Sequence, residues 1–341
     1  MPLVDLFSDT QTRPTPGMRR AMAEAEVGDE QRFEDPTVNA LCKRVAGLLG
    51  FEAAVFLPSG TMCNAIAMRL HVRPGGDEVL LHRNAHPLRF EAAGPSALWG
   101  AVLCPLDGPH GMFDAAAVRA NLRAPGDRYA PRSRLVAVEN TTNVGGGRVW
   151  PREQLREVVE VAREHGLRLH LDGARLMNAV VASGVPAAEC ARGFDTAWID
   201  FTKGLGAPLG AVLAGSRELI DEAWRYKQMM GGALRQAGIA AAGALYALDH
   251  HVDSLADDHA NARRLAEGLA ELPGIDIDPA GVETNIVVFG VPDAARFCAR
   301  LEEHDVRMGP LDARTVRAVT HLDVDAAGIE RALAAAVDAA A

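Results

Sequence analysis

Short, continuously apolar runs alternate along the chain with longer stretches in which apolar residues recur every three or four positions. Over 39–49, Leu41, Val45, Leu48 and Leu49 fall near helical spacing. Ala53-Ala54-Val55-Phe56-Leu57 then reads as a buried strand that stops at Pro58-Ser59-Gly60. Further strands are predicted at 78–81, 101–103, 135–138, 167–171, 196–201 and 210–213, with helices such as 152–164 between several of them. Strands apolar on both faces must be covered on both. The expected fold is therefore α/β, with a mainly parallel sheet flanked by helices in a large domain.

From 216 to 272 the pattern turns helical and rich in Ala, Leu and Arg, which reads as a long connection leading away from the sheet. Strands at 284–289 and 316–320, with helices at 294–303 and 326–340, then predict a small α/β C-terminal domain. In the last helix Ile329, Leu333 and Val337 recur every four residues, so the Ala-rich tail reads as amphipathic rather than low in complexity. The expected division is an N-terminal arm (1–25), a large domain (26–245) and a small C-terminal domain (246–341). A length of 341 residues, more than one core usually organises, agrees with it.

Charge and cysteine content narrow the partners. The 35 basic and 45 acidic residues leave a net charge of −10, and no Lys/Arg stripe could track phosphates, so nucleic acid is not an expected partner. The uncharged stretch 53–68 is short and broken by Pro-Ser-Gly, so no membrane association is expected. Nor does the start, with Asp5 and Asp9 and no basic residue, resemble a secretion signal. Five scattered cysteines without CxxC spacing suggest neither a disulfide framework nor a metal site, and fit a cytoplasmic protein with reduced thiols.

Three strand ends carry candidate chemistry. Lys203 follows the apolar run 196–201 and precedes Gly204-Leu205-Gly206-Ala207-Pro208. An ammonium set among Phe, Gly, Ala and Pro is poorly solvated, which favours a nucleophilic amine able to form a Schiff base. Asp172 ends the run Leu169-His170-Leu171-Asp172 ahead of Gly173-Ala174, where an open parallel sheet presents its ligands. Gly60 and Thr61, between a buried strand and a helix, offer free backbone N–H groups to a phosphate. Each feature alone has a plain alternative as a surface lysine, a turn aspartate or a helix cap. Together they match the three needs of pyridoxal 5′-phosphate: an amine for its aldehyde, a carboxylate for its ring nitrogen and a phosphate cradle. His86, in Asn84-Ala85-His86-Pro87, would stack on the ring.

With these residues in order, the chain resembles the threonine aldolase branch of the fold-type I pyridoxal-phosphate enzymes, grouped with the β-eliminating lyases. The resemblance runs through Ser8-Asp9-Thr10, Glu34-Asp35-Pro36, Pro58-Ser59-Gly60-Thr61, Ala85-His86, Glu139-Asn140-Thr141, Asp172-Gly173-Ala174-Arg175, Lys203-Gly204-Leu205-Gly206, Arg235-Gln236 and Thr320-His321-Leu322-Asp323. It implies the aspartate-aminotransferase-like fold. It also implies that Lys203 is the Schiff-base lysine, Asp172 the pyridinium partner, His86 the stacking residue, and Gly60 and Thr61 the phosphate ligands. Ser8, Arg175 and Arg317 would hold the amino-acid carboxylate, and Arg235 would reach the cofactor phosphate of a neighbouring subunit. A homo-oligomer, dimer or tetramer, with active sites at the subunit interface is thereby implied. The family reaction is retro-aldol cleavage of a threonine-like β-hydroxy-α-amino acid to glycine and an aldehyde.

Several positions depart from the family pattern. Thr142 stands where relatives commonly carry a histidine that contacts the substrate hydroxyl. Threonine can hydrogen-bond there but cannot act as a base near neutrality, which leaves His86 or a water to take the proton. Arg32-Phe33 replaces Tyr-Gly, and Arg32 near the entrance suggests a larger or anionic substrate side chain. Two other functions remain open: β-elimination or dehydration to a keto acid and ammonia, and a non-catalytic scaffold that keeps the fold.

Overall fold

The computed structural model describes residues 2–340, so the outermost residues of the expected arm and small domain, 1 and 341, lie outside the described residues. The main sheet has seven strands: β2 (Ala53–Leu57), β3 (Asp77–His82), β4 (Val102–Leu106), β5 (Arg132–Glu139), β6 (Arg168–Asp172), β7 (Thr196–Asp200) and β8 (Ala211–Gly215). Their order is β2-β8-β7-β6-β5-β3-β4. Only β8 runs against its neighbours, so the sheet is mainly parallel, and β3, β7 and β8 are buried along their whole length. That two-sided burial is what the continuous apolar runs encode.

Helices cover both faces, and the sequence shows where they start. The helix α1 (Pro16–Ala23) is capped by Thr15. In α2 (Pro36–Leu49), Pro36 occupies the first turn while Asp35 accepts from Thr37 N and Val38 N, and Gly50 ends the helix at φ 74°. The other Asp35 oxygen accepts from Gly28 N and Gly238 N, tying three segments together. The helix α3 (Gly60–His71) begins directly after β2. A Cβ at Gly60 would lie 2.3 Å from the Trp198 ring, so only glycine lets the start of α3 sit against β7.

The stretch expected to be one long connection is three helices, Arg217–Met229, Gly238–His250 and Leu255–Ala270, and the first two do not lead away from the sheet. Gly231-Gly232 separates them, and the Ala-rich second helix, buried at Ala240, Ala241, Ala244 and Ala247, packs on α1 and α2. Its small alanines let the neighbouring helices approach closely. Leu255–Ala270 joins the two cores: Leu255 packs under the main sheet, while Ala262, Leu265, Ala266 and Leu269 belong to the C-terminal core.

That second core surrounds a three-stranded antiparallel sheet of β9 (Ile286–Gly290), β11 (Gly309–Pro310) and β12 (Thr315–Val319), with β12 in the middle. The chain start takes part in it. A two-residue strand, β1 (Val4–Asp5), pairs in parallel with β10 (Val306–Arg307), and Val4 and Leu6 are buried in the C-terminal core. The segment after Leu6 is thereby delivered to the ends of β6 and β7, where the polar residues gather.

Candidate active site

A cleft of about 360 Å³ opens where β6 and β7 end, α3 begins and β12 approaches. Its lining includes Ser8, Gly60, Thr61, His86, Asp172, Arg175, Lys203 and Arg317. Eight of the eleven residues singled out from sequence therefore meet in one place, although they are spread over some three hundred positions.

The cofactor end is held from below. Ser59 caps α3 by accepting from Met62 N, and the N–H groups of the first turn have no partner within the helix. Asp172, buried at the end of β6, accepts from Asn64 Nδ2 at 2.8 Å and from Ala174 N at 3.0 Å. The Asn64 amide also donates to Glu91 at 2.8 Å, and the same Glu91 oxygen faces His86 Nδ1 at 2.8 Å. Burial opposes a charge on His86, but the Glu91 hydrogen bond and the carboxylates of Asp172, Glu91 and Glu139 outweigh it and raise its pKa. Glu139 accepts from His86 N and Asn143 N; burial, reinforced by Asp172, pushes its pKa up to about 7.

The surroundings of Lys203 differ from the expectation. Its ammonium is not merely set among apolar neighbours: it forms an ion pair with Asp200, three residues earlier, at the end of β7. Asp200, the charged residue within the otherwise apolar run, balances the charge of the amine. Thr12 donates to the Lys203 carbonyl at 2.9 Å and fixes the turn that carries it.

The two arginines differ as well. Arg175 is buried and already occupied, donating through Nε and Nη2 to the two oxygens of Asp9 at 2.7 and 2.6 Å. Burial works against ionisation of Asp9, but Arg175 prevails and holds its carboxyl at about 2, while Asp9 in turn raises the pKa of Arg175. Arg317 donates to Asn143 Oδ1 at 2.7 Å, yet its buried Nε has no partner. Burial and the nearby Arg175 charge lower the pKa of Arg317, so an anion is wanted beside it. Thr141 Oγ1 and Glu91 Oε2 are also buried without a partner.

Three predicted residues do not line this cleft. Thr142 is buried with its hydroxyl accepting from Arg148 N at 3.2 Å, and it faces a separate small cavity beside His82 and Phe113. Arg32 is exposed opposite Glu34, while Phe33 packs edge-on against Trp224, so neither reaches the cleft of its own chain. Arg235 is exposed and paired with Asp29 at 2.9 Å. Conversely, Asn64, Glu91, Asp9, Glu139 and Asp200 were not assigned roles from sequence. Asp200 carried a signal, since it shares a strand face with Trp198 and immediately precedes the lysine turn. Asn64 meets Asp172, His170 and Trp198, and Asp9 meets Arg175 and Asn285, across more than a hundred residues of chain, so neither carried one.

What the cleft can hold follows from its groups. A helix N-terminus for a phosphate, a buried carboxylate for a ring nitrogen, a reachable amine for an aldehyde and an imidazole at the wall fit pyridoxal phosphate. The unpaired Arg317 edge fits a carboxylate. Among the described residues no group of three or more His, Cys, Asp or Glu is arranged to hold a metal, all five cysteines are free, and no helix is long and apolar enough to cross a membrane.

Known proteins place this arrangement. In fold, the chain is similar to a threonine aldolase from Leishmania major, with a TM-score of 0.83 and 22% identity over 99% of each chain. It is also similar to a serine palmitoyltransferase from Sphingomonas wittichii, with a TM-score of 0.77 and 17% identity over 99% of this chain and 87% of the other. In sequence it is 41% identical to the low-specificity L-threonine aldolase of Escherichia coli K12, over 94% of this chain and 95% of that protein. Identity to low-specificity L-threonine aldolase 1 of Arabidopsis thaliana is 39%, over 97% and 94% of the two chains. The family pattern of the β-eliminating lyases matches residues 5–291. The chain belongs to the β-eliminating lyase family, alongside these threonine aldolases.

Proposed function

We propose that this protein is a pyridoxal-phosphate-dependent aldolase that cleaves a threonine-like β-hydroxy-α-amino acid to glycine and an aldehyde. The observation that carries this reading is the convergence on one cleft of Lys203, Asp172, the start of α3 and an Arg317 whose buried Nε is unpaired. Its sequence relatives, at about two-fifths identity along nearly the whole chain, support it. Bound there, pyridoxal phosphate would withdraw the electron pair released when Cα–Cβ breaks.

The residues of the chain then divide the remaining work. Lys203 supplies the amine that holds the cofactor, and Asp172 keeps a positive charge on the ring nitrogen. The N–H groups of Gly60 and Thr61, at the start of α3, would receive the phosphate. Arg317 and Ser8 receive the substrate carboxylate, and Arg175, already engaged by Asp9, lends charge from behind. With the carboxylate held this way, positioning by these residues would select which of the bonds at Cα is broken. His86 takes the hydroxyl proton at Nε2, because its Nδ1 is committed to Glu91 and Thr142 faces elsewhere. A second copy of the chain completes the assembly, with its Arg235 reaching the phosphate of its neighbour; the exposed position of Arg235 supports this.

Product analysis tests the reading. Protein loaded with pyridoxal phosphate and given L-threonine and larger β-hydroxy amino acids is expected to release glycine and aldehyde in equal amounts. Keto acid and ammonia would assign it to β-elimination, and no turnover to a scaffold.

A further inference from the structure

Alternation along the strands puts His170 and Asp172 on one face of β6, and Thr196 and Trp198 on one face of β7. Asn64 of α3 meets both. Trp198 Nε1 lies 2.9 Å from Asn64 Oδ1, and an indole nitrogen only donates, so the amide oxygen must face it. The amide nitrogen is thereby turned to Asp172 and Glu91, one hydrogen for each. The second partner of the oxygen is His170 Nε2 at 3.1 Å, which must also donate.

The remaining protons follow without choice. Burial pushes the pKa of His170 down to about 3 and that of His71 to about 4, so each ring is neutral near pH 7 and carries one hydrogen. With Nε2 protonated, His170 Nδ1 accepts the Thr196 hydroxyl at 2.8 Å. The Thr196 oxygen then accepts from His71 Nε2 at 2.9 Å. Every bond points toward the cleft. At its end Glu91 Oε1, already taking an Asn64 hydrogen, accepts from His86 Nδ1 and leaves His86 Nε2 as the basic nitrogen.

We propose that His71, Thr196, His170 and Asn64 form a proton-ordered positioning chain, which directs the two N–H bonds of Asn64 onto Asp172 and Glu91. It thereby holds Asp172 ready for a cationic ring nitrogen and fixes Nε2 of His86 as the base. The proposal deepens the aldolase reading and rests on the roles given there to Asp172 and His86. The four members act through other groups and are positioning residues.

Nitrogen-15 NMR of the cofactor-free protein reads the tautomers without catalysis. His71 and His170 are expected as Nε2–H, and His86, at a pH above its raised pKa, as Nδ1–H. A His170 protonated on Nδ1 would overturn the chain. Thr196→Val keeps the side-chain shape and removes the link to His170. It should give mixed tautomers at His170, with pyridoxal-phosphate affinity and kcat each lower by about three- to tenfold, the worth of one hydrogen bond, and an unchanged KM. Thr196→Ser should restore all three. Wild-type affinity and kcat in a folded Thr196→Val protein would reduce the chain to packing and sink the proposal; if that variant fails to fold, the wild-type tautomers still decide. Failure of the wild-type protein to bind pyridoxal phosphate would instead strike the aldolase reading, with the tautomer assignment standing apart from it.

Discussion

Asp172 and Arg317 sit on opposite sides of one cleft and differ in how completely their surroundings are hydrogen-bonded. On the Asp172 side, Asn64, Trp198, His170 and Glu91 engage one another so that the amide has a single orientation and every polar atom of Asn64 is paired, while the second Glu91 oxygen is left over. On the Arg317 side, one guanidinium nitrogen is held by Asn143 while the buried Nε is unpaired. A buried donor without a partner is costly, whereas a satisfied network is rigid. The contrast separates a side whose central amide is held in one pose from a side that still lacks a partner, the place the aldolase proposal gives to the substrate carboxylate. Arg175 shows what Arg317 would be if it were structural: a guanidinium with a permanent carboxylate, Asp9, against it.

The comparison breaks most severely at the residue both sides serve. Lys203→Ala is expected to lower kcat/KM by at least about 10³-fold, measured as glycine release on protein shown to be folded. Retained turnover would place the chemistry elsewhere. Next in size is Arg175→Leu, which leaves Asp9 buried without its cation and should cost about 3–5 kcal/mol in denaturant unfolding. A neutral result there would mean that Asp9 and Arg175 are not a structural pair.

Arg317→Leu should do the reverse, raising KM by about 10- to 100-fold, the worth of a charged hydrogen bond, while leaving stability near wild type. Equal losses of stability in the two arginine variants would erase the distinction between the sides. The smallest effect concerns pH. In the base role proposed for it, His86 must be neutral, and its pKa is raised, so kcat/KM should climb with pH through a value above its ordinary 6.5. Glu91→Gln removes a carboxylate that raises it and should move that limb to lower pH. For stability the sign at Glu139 is separate: a carboxyl raised from 4.5 to about 7 contributes fully below 4.5 and loses that contribution as pH rises through 7. Glu139→Gln should flatten the unfolding free energy across that window.

Much of this was legible in sequence because the main sheet is buried on both faces, and a strand such as 53–57 therefore appears as an uninterrupted apolar run. Strand ends were legible too, which is why Asp172 and Lys203 stood out. Two-residue strands such as β1 and β10 have no periodicity to read, and their pairing spans the length of the chain. The helical stretch after 216 gives no sign of its break into three helices, because the Ala-rich helix 238–250 is apolar over most of its surface and has no polar face to mark its direction. Thr142 and Arg32 show the limit at loops, where orientation depends on contacts such as Arg148 N to Thr142 Oγ1 that spacing does not encode. Asn64 looked like a polar residue in a first helical turn, and only its four partners reveal its position in the network.

The central claim is that this cleft holds pyridoxal phosphate through Lys203. Borohydride reduction of the loaded protein, followed by peptide mass analysis, tests it directly. The account predicts the cofactor permanently attached to the peptide carrying Lys203 and to no other lysine; attachment at another lysine, or none, would contradict it.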